Sequence, residues 1–162
     1  MIAGLSIENF TTLHTAISLI GIVSGLVVLA GMLRARRLPG WTALFLVTTI
    51  LTSVTGFMFP INGLTPAIVV GVISIVILAI ALMALYVQHL NGAWRLIYVT
   101  TALTALYFNV FVLIVQSFQK LPGLRALAPT QSEPPFLIAQ AAALIGFLVL
   151  GVMAARKFRP AL

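Results

Sequence analysis

Five stretches of this chain, residues 11–33, 41–59, 67–87, 96–118 and 136–155, are apolar on every face and contain no Asp, Glu, Lys or Arg. A hydrocarbon core about 30 Å thick is crossed by about 20 such residues in a helix, so each stretch predicts a transmembrane helix. Strands of a membrane barrel would alternate apolar and polar positions over roughly ten residues, a pattern these runs do not follow. Turn-forming residues fall between the runs: Pro39-Gly40, Pro60 with Asn62-Gly63, Asn91-Gly92, Pro122-Gly123 and Pro134-Pro135. They stop or turn helices through proline's fixed φ and glycine's left-handed freedom, and so support the boundaries independently of hydropathy. The expected fold is an all-α membrane protein, a single domain over residues 1–162 built as a bundle of five transmembrane helices.

Composition points the same way. Of the residues 62% are hydrophobic and 7% charged, whereas a water-facing surface takes about 25% charged residues. The net charge of +7 would suggest nucleic acid in a soluble chain, but in this one it is a topology signal, and no nucleic-acid partner is expected. The chain has no Cys, which removes disulfides, thiolate metal sites, iron–sulfur clusters and cysteine nucleophiles.

Basic residues set the expected orientation. Arg34, Arg36 and Arg37 follow the first span, Arg95 lies between the third and fourth, and Arg156, Lys157 and Arg159 follow the fifth. Only Lys120 and Arg125 fall on the other side, together with both acids, Glu8 and Glu133. The positive-inside rule then places the N-terminus outside and the C-terminus in the cytoplasm. Trp41 and Trp94 fall at the cytoplasmic interface, where indoles anchor. The first span lacks the basic n-region of a cleavable signal and carries Glu8 just ahead of it, so it is expected to stay in the mature protein.

With no charge inside any span, coupled transport loses weight, because proton relays and ion-coupled carriers keep an ionisable group at depth. His14 and His89, the only histidines, fall near opposite ends of the bundle, too far apart to ligate one haem iron at bonds of about 2 Å. No nucleophile with a base, no metal-ligand spacing and no phosphate loop is present, so no catalytic or metal-binding residue is assigned.

The uncharged polar residues gather in the outer half. His14 and Ser18 lie four apart on the first span, Thr52 and Thr55 three apart on the second, Asn109 and Gln116 seven apart on the fourth, and Gln140 is on the fifth. Each pair shares a helical face. The inner half reads as almost purely apolar. The loop from Gln119 to Pro135 is long enough to return over the outer mouth and bring Glu133 towards His14. The expected ligand site is therefore an outer-half cavity lined by His14, Ser18, Thr52, Asn109, Gln116, Gln140 and Glu133. A competing reading is purely structural: Ser and Thr bond the carbonyl one turn back, and Asn and Gln bridge helices. Gly21 and Gly25 form a GxxxG step, a close helix contact within the chain or between subunits.

The segments LHTAISLIGIVSGLVVL (13–29), TSVTGFMFP (52–60), LYFNVFVLIVQSF (106–118) and APTQSEPPFLIAQ (128–140) give the chain a resemblance to small bacterial inner-membrane proteins of unknown function. The resemblance implies a multi-pass protein of the bacterial cytoplasmic membrane and no particular activity. Three functions follow as expectations. The first is binding or passive conduction of a small neutral or amphipathic ligand, with a pore of this size calling for a homo-oligomer. The second is an accessory or scaffold subunit of a larger membrane complex. The third is a redox protein holding a quinone, bonded by Thr15, Tyr107 or Gln116, or a haem at His14; the sequence does not otherwise name a cofactor.

Overall fold

The computed structural model describes residues 1–60, 63 and 65–159. Among the described residues its regular secondary structure is helical, apart from an isolated bridge between Ile2 and Leu5. The elements are α1 (Ile7–Leu33), α2 (Pro39–Phe57), α3 (Pro66–Leu82) continued by a π-helical turn (Met83–Val87), α4 (Trp94–Lys120), α5 (Pro122–Leu127) and α6 (Pro134–Lys157). Five of them, counting α3 with its π turn as one, are long and apolar enough to cross a membrane.

Helices α1, α4 and α6 outrun the uncharged stretches because polar residues suit helix ends, whereas α2 stops at Phe57, two residues short of its stretch. Ser6 caps α1 by accepting the Asn9 N–H at 3.2 Å, which draws Glu8 into the first turn, where a carboxylate complements the helix dipole. Pro39, Pro66 and Pro134 open α2, α3 and α6, positions at which a missing N–H costs nothing. Two features of the connections were not legible in advance. The loop expected from Gln119 to Pro135 contains α5, and α3 closes in a π turn. Of the predicted turn at Pro60, Asn62 and Gly63, Asn62 lies outside the described residues, while Gly63 takes a φ of 104°.

Helix α4 is the hub, packing against α1, α2, α3 and α6. Its inward face combines Val99, Ala102, Ala105 and Leu106, all fully buried, the alanines letting neighbouring backbones come close. Along α1 the same service is done by glycine. A Cβ on Gly25 would lie 2.5 Å from Leu106 Cδ1 and 2.9 Å from the Phe45 ring. The GxxxG step thus seats α1 against α2 and α4 of its own chain. Gly146 of α6, by contrast, has nothing within 4 Å of where its Cβ would be. Helix α6 turns Ile138, Ile145, Leu148 and Val152 outward, an apolar surface suited to lipid.

Candidate functional site: a basic cleft

The seven residues expected to share one outer cavity separate into local groups. His14 Nδ1 lies 2.7 Å from the Thr55 hydroxyl, which itself donates to the Leu51 carbonyl at 2.6 Å. The Thr55 proton is therefore committed, and the imidazole donates through Nδ1–H, leaving Nε2 as its acceptor. Phe59 packs edge-on to the ring at 5.3 Å. Ser18 donates to the His14 carbonyl at 2.7 Å and Thr52 to the Thr48 carbonyl at 2.9 Å, the back-bonding that lets a hydroxyl lie in lipid without a ligand. Asn109 Nδ2 donates to the Thr49 hydroxyl at 3.2 Å, beside Gly21, and so ties α4 to α2. Gln140 Nε2 donates to the Phe111 carbonyl at 3.3 Å, while its buried Oε1 has no partner among the described residues. Gln116 is half-buried on α4.

Glu133 is not brought to His14. Its carboxylate accepts from the Thr130 N–H and hydroxyl and from the Ser132 N–H, at 2.8 to 3.1 Å. Lost hydration raises the Glu133 pKa, but these hydrogen bonds outweigh that effect and hold the carboxyl below its ordinary value. Gln131 completes the loop's attachment, donating to the Val115 carbonyl at 3.0 Å. A cleft of about 360 Å³ beside this loop is lined by Phe118, Gln119, Arg125, Pro129, Thr130 and Gln131, none of them among the seven.

A second cleft, of about 230 Å³, opens at the other end of the bundle. Its floor is Val28 and Met32 of α1, Leu38, Leu85 and Phe158 together with the buried Thr42 and Tyr98; its exposed rim carries Arg36, Arg37, Tyr86 and His89. The expectation of an almost purely apolar inner half fails at this point, because these polar groups lie within about one turn of the helix ends.

Local backbone chemistry builds the cleft walls. Helix α1 ends in a Schellman turn, with Arg36 N–H donating to the Gly31 carbonyl at 2.9 Å and Ala35 N–H to the Met32 carbonyl at 3.1 Å. Ala35 occupies the left-handed position at φ 54°, where glycine is usual, and the turn delivers the two arginines to the cleft. On the facing wall the π turn shifts register, Gln88 N–H reaching the Met83 carbonyl at 2.9 Å. The next residues, His89 and Leu90, take φ of 48° and 61°. Non-glycine residues in this region store strain, and such strain and π turns recur at functional sites. Beneath them, Arg95 Nη1 donates to the carbonyls of Ala155 and Phe158 at 2.9 and 2.7 Å. This caps α6 and holds Phe158, 3% exposed, against Tyr98 with ring centroids 6.1 Å apart.

Comparison with models of known protein families, with curated proteins and with solved structures returns no match. The cleft therefore has to be read from its own chemistry. Sequence reasoning used Arg36 and Arg37 only for topology and passed over Thr42, Tyr86 and Tyr98. The depth argument applied to the outer half would have found them, since all lie near the ends of helices that meet at the basic side. Among the described residues no three His, Asp or Glu side chains gather as metal ligands.

Proposed function

We propose that this chain is a multi-pass protein of the bacterial cytoplasmic membrane, N-terminus outside and C-terminus inside, that binds a small amphipathic molecule at its cytoplasmic end. The observation that carries the reading is the 230 Å³ cleft, largely apolar in its floor and rimmed by two arginines, a histidine and a tyrosine. An apolar pocket with a few convergent polar groups is the usual form of a ligand site. Orientation rests on the basic residues: the turns at 34–38 and 88–95 and the end of α6 hold seven of the nine, and that excess faces the cytoplasm under the positive-inside rule. The polar side chains at the other end act in this reading as fastenings between helices. Conduction of a ligand past them, a redox role at His14 and an accessory-subunit role all rank behind it.

Native mass spectrometry of protein released from mild detergent tests the reading. Retention of an amphiphile by the native chain, and its loss from Leu85→Trp, which fills the cleft, is the expected result; thermal unfolding would verify that the variant folds. Equal retention by both would remove the cleft from consideration. Co-purification of defined protein partners with no retained amphiphile would put the accessory-subunit reading ahead, and a Soret band would favour haem.

A further inference from the structure

We infer that the amphiphile bound in the basic cleft is an anionic phospholipid, with its phosphate held by Arg36 and Arg37; this rests on the cleft-binding reading above. The charge balance around the cleft points to the head group. Arg36, Arg37 and His89 all line it, and Arg34, Arg95, Arg156, Lys157 and Arg159 lie at the same end. The chain has only two acids, Glu8 in the first turn of α1 and Glu133 before α6, both at the opposite end. No side-chain carboxylate is therefore available at the cleft to neutralise the guanidinium groups. Of the arginines near it, Arg95 is already committed to the Ala155 and Phe158 carbonyls, whereas Arg36 and Arg37 make no side-chain hydrogen bond among the described residues.

Two arginines lining one cleft offer planar guanidinium groups whose paired N–H donors match the oxygens of a phosphate. The same lack of acids discriminates between lipids. A zwitterionic head group would bring an ammonium into a site that already holds two cations and offers it no carboxylate, so phosphate without ammonium is favoured. The floor of Val28, Met32, Leu38, Leu85 and Phe158 then accepts the upper acyl carbons, which gives a lipid an advantage over free phosphate. Basic pockets between membrane helices on the cytoplasmic side suit such head groups.

The test is native mass spectrometry of the full chain equilibrated with equal amounts of phosphatidylglycerol and phosphatidylcholine bearing identical acyl chains. At about fivefold per basic residue near an anionic surface, the two arginines should give a preference of roughly 25-fold for the anionic lipid. Arg36→Gln with Arg37→Gln should bring that ratio near one, while Arg34→Gln with Lys157→Gln, which removes the same charge outside the cleft, should leave it largely intact. Equal losses in the two double variants would mean diffuse attraction and overturn the proposal. So would displacement of the lipid by excess inorganic phosphate, which would make the free anion the ligand. Lipid retention that Leu85→Trp abolishes but whose selectivity survives in Arg36→Gln with Arg37→Gln would defeat the phosphate clamp while keeping the cleft. If Leu85→Trp retains as much lipid as the native chain, the cleft reading fails as well.

Discussion

The two ends of the bundle handle polar groups in opposite ways. Where His14, Thr55, Asn109 and Thr49 lie, neutral side chains pair across helices and draw them together. At the basic end, Arg36, Arg37, Tyr86 and His89 stand around a space. The difference follows from what each group can use as solvent. A neutral amide or hydroxyl at depth has no water to bond and costs several kcal/mol unless a protein partner satisfies it. An arginine at the interface keeps its head in water or among phosphates while its stem covers apolar surface, so nothing forces its neighbours to close around it. Polarity within a membrane helix thus tends to seal an interface, and polarity at its end can leave one open.

The largest effect that could break this contrast is steric. Gly25→Val puts methyl groups into the contact with Leu106 and Phe45 and should lower stability in detergent by about 1–3 kcal/mol. Leu85→Phe adds comparable bulk beside the cleft and should stay within about 0.5 kcal/mol of the native chain. Thermal unfolding of the two variants side by side checks this, and similar losses in both would mean the cleft is packed as tightly as the glycine seam.

Ala35→Gly sharpens the description of the open end. Removing the Cβ from a left-handed residue should raise stability by about 0.5–1 kcal/mol, after allowing for glycine's greater unfolded-state freedom. A neutral or destabilising result in chemical denaturation would show that the turn at the cleft wall carries no strain.

At the closed end, a double-mutant cycle with Asn109→Leu and Thr49→Val should give a favourable coupling of about 0.6 kcal/mol, typical of hydrogen bonds between membrane helices. Zero coupling would leave packing alone to join α4 and α2 at this depth.

The smallest effect belongs to the loop at 121–133. Because hydrogen bonds hold the folded-state pKa of Glu133 below its ordinary value, the loop's extra stability is fully present above the ordinary carboxylate pKa. It is lost as pH falls through the depressed one. Amide exchange at Thr130 and Ser132, corrected for intrinsic rates, should therefore quicken over that acidic window. Glu133→Gln should remove the pH dependence; an unchanged profile would mean the carboxylate does not organise the loop.

Much of this molecule could be read from residue order alone. Five helices, their approximate ends, their membrane-spanning character and the glycine contact at Gly21 and Gly25 all follow from a local rule: an apolar run of sufficient length must satisfy its own backbone and must be broken where Pro, Gly or charge intervenes. The partners of the polar side chains did not follow. Depth placed His14, Asn109 and Gln140 on a similar level, but equal depth says nothing about angle around the helix axis or which helices are neighbours. Local turn geometry folds Glu133 back onto Thr130 and Ser132, whereas tertiary packing decided that His14 meets Thr55 and that Asn109 meets Thr49. It also decided where the space lies. A Schellman turn, a π turn and two left-handed residues set Arg36, Arg37, Tyr86 and His89 around one cleft. A cavity is the volume that several separate segments fail to fill, so it exists only once their relative positions are set.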